Sequence, residues 1–350
     1  MRRPRARRAE GPETIRHKRN PRKLKKNRMT MFVPEQERPV DLKDNERALP
    51  ARFWIYQRER FPLQQYLPIV AAFTFSASGY SIMSGGRTGL IGWWVMAAGI
   101  ATSFGLFFLL RLFDEFKDAE DDAKYRPYRA VPRGLVSFGE LRALILGVIA
   151  FMVAANACVA PALLAPLALS IGYLLLMWRE FFVPAWLRRH PVVYMLSHMM
   201  VMPLIDFYTS GLDWIVGGFR LPTGMFLFLA LTFTNGCIIE IGRKIRIPED
   251  EEPGVETYSA LWGGFRAAAI WLVLLTVTWA LSLGCCHARG FLAKGAMWLT
   301  PSFLLSAAPA VAFLFGRKTG RGIEAASGIW TIAMYVFVGM VPHLCGWGAR

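Results

Sequence analysis

Residues Ile100 to Gly134 read IATSFGLFFLLRLFDEFKDAEDDAKYRPYRAVPRG. The first part is a continuous apolar run of the kind a bilayer-crossing helix requires. It passes directly into Asp114–Asp122, where six of nine residues are acidic, and then into a basic stretch holding Lys124, Arg126, Arg129 and Arg133. Like charges packed this tightly cost free energy unless a cation compensates them.

Working outward, eight further apolar segments accompany this one. All nine lie at about 66–84, 89–110, 139–158, 161–177, 191–208, 221–241, 262–284, 294–315 and 325–345. The chain has 350 residues, of which 54% are hydrophobic and 19% charged, with the charges gathered into short stretches between these runs. This pattern predicts an all-α polytopic membrane protein and excludes a soluble enzyme.

The net charge of +16 is unevenly placed: residues 1–30 hold 13 Lys and Arg against Glu10 and Glu13. Residues 1–50 read as a basic cytoplasmic tail that touches anionic lipid, and residues 51–350 as the membrane domain. Nucleic acid is not expected as a partner. The tail is too Lys-rich and Ser-poor for a transit peptide, and Met29 and Met31 are alternative starts. With the N-terminus inside, the connections 111–138, 178–190, 242–261 and 316–324 carry most of the loop Lys and Arg, as the positive-inside rule requires. Nine spans then put the C-terminus on the opposite side, and the expected location is a bacterial inner membrane. Cys158, Cys237, Cys285, Cys286 and Cys345 have no metal-binding spacing and read as small apolar residues.

If the second helix continues through the acidic stretch, Asp114, Asp118 and Asp122 share one face, with Glu115 beside them. Carboxylate oxygens without His or Cys suit Mg²⁺, which is commonly completed by water and substrate phosphate. Lys124, Arg126, Arg129 and Arg133 would line a site for phosphate oxygens. A solvated face of alternating charge is the competing reading of such a run. The connection after the sixth span reads NGCIIEIGRKIRIPEDEEPGVETYS from Asn235 to Ser259. It repeats the theme with Glu240, Arg243, Lys244, Arg246 and the cluster Glu249–Glu252. A plain salt bridge competes for Glu240. Inside the fifth span, His198 and Asp206 are polar groups in a costly setting, so each is a functional candidate.

Asp114, Glu115, Asp118 and Asp122 fill the first acidic motif of the UbiA superfamily of intramembrane prenyltransferases, which this chain resembles. The stretch KYRPYRAVPRG resembles that family's link to the next helix, and GVET at Gly254–Thr257 its turn after the second motif. The second motif departs from the pattern, since its spaced aspartates are replaced by Glu240, Arg243, Lys244 and Arg246. Either Glu240 or Asp250 takes the metal position there, depending on register.

The resemblance implies a helical bundle around a central apolar cavity, capped by both charged loops. It implies Mg²⁺-dependent transfer of a prenyl group from an isoprenoid diphosphate to a membrane-accessible acceptor, with diphosphate released. Asp114, Glu115, Asp118, Asp122 and Glu240 or Asp250 would hold metal. Lys124, Arg126, Arg129, Arg243, Lys244 and Arg246 would grip diphosphate, and His198 would bind or deprotonate the acceptor. Asp206 is expected to lie toward the opposite side, where it reaches water. The acidic run lacks the DG and AR pattern of the CDP-alcohol phosphotransferases. A non-catalytic relative that binds a prenyl lipid or a cation is the alternative, because the second motif is irregular.

Overall fold

The computed structural model describes residues 42–251, 255–317 and 320–347. The basic tail through residue 41, Glu252–Gly254 of the second loop and Lys318 lie outside the described residues. Among the described residues nine helices are long and apolar enough to cross a membrane, and no strand is present. Helices are the expected solution, because only they satisfy every backbone N–H and C=O within one segment in lipid.

A short helix α1 (Leu49–Arg60) precedes the first span, α2 (Leu63–Ser84), and the second, α3 (Trp93–Lys117). A helix of two turns, α4 (Ala119–Tyr125), follows at once. The third span, α5 (Phe138–Val159), starts on a capping box in which Ser137 and Glu140 bond each other's backbone N–H. The fourth span contains α6 (Leu164–Trp178); α7 (Pro184–Arg189) is short. The fifth span consists of α8 (Pro191–Met199) and α9 (Val201–Trp214), and the sixth is α10 (Met225–Gly242). After α11 (Tyr258–Trp262) come α12 (Gly264–Ala288), α13 (Leu292–Leu314) and α14 (Gly320–Tyr335). The last passes through a π-helical turn, Val336–Met340, into α15 (Val341–Leu344).

Two apolar cores hold the bundle together. One joins α3, α5, α6 and α9 through residues such as Leu106, Leu109, Met152, Leu167 and Tyr208. The other joins α10, α12, α13 and α14 through Phe228, Ile241, Trp271, Leu275 and Trp330. The π-helical turn crosses α2 so closely that a Cβ on Gly339 would run into the Ser76 carbonyl. Side chains such as Leu146, Phe151 and Val273 remain exposed on the outside, as residues facing lipid tails do.

Two expectations are corrected. The second span does not stop near residue 110 but continues to Lys117, so the acidic motif begins inside a helix. That helix then breaks at Asp118 (φ −92°, ψ 9°), so Asp114, Asp118 and Asp122 do not lie on one unbroken helix. The connections predicted on one side do meet at one end of the bundle: Lys117 pairs with Glu180 at 3.3 Å, and Arg321 approaches Asp250 at 3.7 Å. Arg87 pairs with Asp213 at the other end, where Arg289 also caps the carbonyls of Met83 and Ser84.

Candidate active site

The stripe that builds the site is legible on α3. Ser103, Phe107, Leu110, Asp114 and Lys117 follow at spacings of four, three, four and three and so share one helix face. Opposite them, His198, Met202, Ile205, Asp206 and Thr209 line the fifth span. Two crevices lie along this seam. One is walled by Phe113, Asp114, Lys117, Met177, Trp178 and His198. The other is deeper and is walled by Phe73, Phe107, Met202, Ile205, Asp206 and Tyr335. The space open to a water-sized group is about 20 Å³ in the first and essentially nil in the second, far below the few hundred to a thousand Å³ of a typical small-molecule site. The central apolar cavity expected from the resemblance is therefore closed down here to a narrow seam, filled by Phe and Met side chains.

At the mouth of the seam four side chains meet. The Lys117 ammonium donates to the Tyr194 hydroxyl, lies 3.3 Å from Glu180 and is 3.5 Å from His198 Nε2. The imidazole stacks on the Tyr194 ring with centroids 4.0 Å apart. Its Nδ1 is 2.8 Å from the Tyr194 carbonyl oxygen, which can only accept, so Nδ1 carries the proton and Nε2 the lone pair. Glu180 reaches Lys117 from an unusual backbone, because Glu180, Phe181 and Phe182 all have positive φ (46°, 52° and 62°). Non-glycine residues in this left-handed region are strained by about 1–2 kcal/mol each. Lys117, Tyr194 and Glu180 were not among the sequence candidates. Lys117 could have been found from its place on the Asp114 face, whereas nothing in the sequence announces a left-handed turn at Glu180.

The carboxylates sort into two groups. Asp114 borders the seam with Arg111 3.9 Å away, and Asp118 follows four residues later, outside the crevice lining. Burial pushes the Asp118 carboxyl above the usual carboxylate range; Lys117 opposes that shift and Asp122 adds to it. Two hard, mutually repelling carboxylates of this kind fit a divalent ion that keeps water and phosphate as its remaining ligands.

The other expected metal ligands do not join them, and among the described residues no three His, Cys, Asp or Glu side chains gather into a metal site. Glu115 is turned into the bundle, where it accepts from Arg60 Nε at 2.6 Å with both side chains 1% exposed. Asp122 is claimed by Arg126 and Arg129, each at 2.8 Å, with Arg60 at 3.9 Å. Burial would raise its carboxyl, but hydrogen bonds from Arg129 and Arg126 outweigh this and hold it below the ordinary value. Glu240 is gripped by Arg243 at 2.6 Å and Lys244 at 2.9 Å. The reason is common to all three: guanidinium and ammonium groups one helical turn away, or on α1, neutralise the acid before an ion could.

Of the two register choices in the second loop, Glu240 is the one facing the first loop. His198 lies within its electrostatic reach, and its partner Arg243 is within reach of Asp114. Asp250 lies farther out in a 3₁₀ turn beside Arg321, with Arg246 donating to its carbonyl at 3.2 Å. Glu251 staples the loop by accepting from Thr257 and Ser259, both at 2.8 Å. The expected cationic lining is divided likewise. Lys124 points outward over the Tyr125 ring, whereas Arg126 and Arg129 stand beside Asp122.

Asp206 does not reach water. It is 2% exposed and accepts from the Tyr335 hydroxyl at 2.6 Å. The sequence placed it too near the membrane surface because the fifth span continues to Trp214 instead of stopping near residue 208.

Among solved structures, the chain is similar to the apo structure of a UbiA homolog from Aeropyrum pernix K1, with a TM-score of 0.57 and 17% sequence identity. The match covers 76% of this chain and 96% of that one. The chain has the UbiA fold. No protein-family model matches the sequence, and no curated protein matches it. The UbiA fold and the nine apolar helices make this an integral membrane protein, with both charged loops at one end of the bundle.

Proposed function

We propose that the protein transfers a prenyl group from an isoprenoid diphosphate to a membrane-accessible acceptor in a Mg²⁺-dependent reaction that releases diphosphate. The observation that carries this reading is the seam itself. Asp114 stands at its polar mouth beside Lys117 and His198, with Asp118 four residues on, and phenylalanine side chains line the way down. An allylic diphosphate needs this pairing of a charged end with an apolar channel.

Asp114 and Asp118 would hold the ion, which when bound supplies charge neutralisation at the leaving diphosphate. Arg126 and Arg129, held beside Asp122, would present positive charge to phosphate oxygens; Arg243 and Lys244 would do so from the second loop. The allylic carbon–oxygen bond breaks with its electron pair on diphosphate. Phe113, Trp178 and the other apolar walls keep water from the allylic cation. His198 Nε2, the unprotonated nitrogen, would exchange its contact with Lys117 for the acceptor and take the acceptor's proton as the new bond forms. Positive loops on the diphosphate side would place that end in the cytoplasm, most simply of a bacterial inner membrane, where the basic tail meets anionic lipid.

The test is diphosphate release by the purified protein with Mg²⁺, isoprenoid diphosphates and extracted membrane lipids. Asp118→Asn is expected to lower the rate at least 100-fold while the protein stays folded; full Mg²⁺-dependent activity in that variant overturns the assignment. A second reading has one observation in its favour, since Glu240 is already neutralised by Arg243 and Lys244. Tight binding of the diphosphate with no turnover under any condition would favour a non-catalytic prenyl-lipid binder.

A further inference from the structure

The crevice at the mouth of the seam offers only about 20 Å³ to a water-sized group, so a diphosphate enters it only when one of its walls moves. One wall has the means to do so. Trp178 ends α6 and lines the crevice, and the chain then turns at once through Glu180, Phe181 and Phe182, each in the left-handed region. Residues without glycine's freedom keep such a conformation only where their surroundings impose it, and strain of this kind gathers at clamps and switches.

The turn is held by a small set of contacts, all on the groups that face the crevice. The Glu180 carboxylate lies 3.3 Å from the Lys117 ammonium, whose other neighbours are the Tyr194 hydroxyl and, at 3.5 Å, His198 Nε2. The Phe181 ring meets His198 edge-on at 6.0 Å and Tyr173 at 5.5 Å. Two backbone hydrogen bonds close the turn itself, from the Phe182 N–H to the Arg179 carbonyl and from the Val183 N–H to that of Glu180. Beyond it the connection is weakly anchored: residues 182–186 are all exposed, and Leu187 is the first buried side chain.

A diphosphate alters this balance on two counts. Its several negative charges compete with the single Glu180 carboxylate for Lys117, which lines the crevice together with Asp114. They also repel that carboxylate once the ammonium no longer stands between them. With Lys117 drawn to phosphate, the turn loses the ion pair that offsets its strain. Its relaxation takes Phe181 off the His198 ring and leaves Nε2 clear of both neighbours. A ligand shifts such an equilibrium only by binding one state better than the other, and here only the open state offers it Lys117. We infer that Glu180–Phe182 is a latch on the mouth of the seam, fastened by the Lys117–Glu180 ion pair and released when a diphosphate takes Lys117, so that the donor binds before His198 opens to the acceptor. This rests on the prenyl-diphosphate reading above and adds to it how the site is opened and in which order it fills.

Amide hydrogen exchange reads the opening of the turn without needing the acceptor. It is followed by mass spectrometry on peptides covering residues 179–187, in the full-length protein in nanodiscs with Mg²⁺, and calorimetry on the same samples shows whether inorganic diphosphate binds. Added diphosphate is expected to speed exchange at Phe182 and Val183 about tenfold or more, whereas a ligand that merely packs against a turn slows it. Glu180→Gln, which unfastens the pair, is expected to speed exchange to a similar extent without ligand, and diphosphate then to add less than about threefold. Phe182→Asn, which suits the left-handed conformation, is expected to slow exchange in the ligand-free protein. Bound diphosphate with exchange unchanged or slowed in the unaltered protein overturns the latch and leaves the diphosphate reading standing. Absence of diphosphate binding by both the unaltered protein and Glu180→Gln overturns that reading and the inference with it, so the two failures are distinguishable. Should Glu180→Gln not fold, the response of the unaltered protein to diphosphate decides alone.

Discussion

Glu115 marks the acidic motif as partly a structural brace. It forms an ion pair with Arg60 at 2.6 Å, and both side chains are 1% exposed, so the pair ties α1 to the lower end of α3. Changing Glu115→Gln leaves the Arg60 guanidinium buried without its main counter-charge. Breaking a buried pair from one side costs about 3–5 kcal/mol. Asp122, 3.9 Å from Arg60, retains part of the compensation, which places the expected loss near the lower end, about 3 kcal/mol. At roughly 2–4 °C per kcal/mol, the unfolding midpoint should fall by about 6–12 °C. The assay is thermal unfolding of the detergent-purified protein followed by intrinsic fluorescence, with Mg²⁺ binding measured in parallel. The double variant Arg60→Met with Glu115→Leu should regain most of the loss, since an apolar pair of similar volume often replaces a buried ion pair without penalty. An unchanged midpoint for Glu115→Gln together with lost Mg²⁺ affinity would refute the brace and return Glu115 to the metal set.

Other expectations are as direct. Asp122 is held below its ordinary value by Arg129 and Arg126, so its contribution is full above about pH 4, its unfolded value, and is lost as pH falls through the lower folded one. Unfolding midpoints between pH 6 and pH 2 should therefore fall less steeply for Asp122→Asn than for the unaltered protein, and parallel curves would contradict this. Gly339→Ala would drive a methyl group into the Ser76 carbonyl and should lower stability by about 1–3 kcal/mol or more, read as a lower thermal midpoint. Phe182 sits in the left-handed turn at φ 62° with 72% of its surface exposed. Phe182→Asn should raise the midpoint, by an amount equivalent to about 1 kcal/mol in detergent, because Asn tolerates that conformation better; a lower midpoint would mean the ring packs on something essential.

The sequence alone determined the class of this protein, the number of its spans and the end of the bundle at which its charged loops gather. All three rest on information that is local in the chain. A run of about 20 apolar residues has one stable form in lipid, and loop charge sets which ends lie together. Asp114, Asp118 and His198 were legible as candidates for the same reason, since polar groups at the ends of such runs are conspicuous. Only the tertiary structure decided which acids are neutralised by cationic partners. Glu115 is neutralised by Arg60, 55 residues away along the chain, and Lys117 is positioned by Glu180 from a left-handed turn. Asp206 is sealed from water where Tyr335, 129 residues later, donates to it across the bundle. Charge neutralisation and burial depend on which side chains meet across the bundle, and helix packing, rather than spacing in the sequence, sets those meetings.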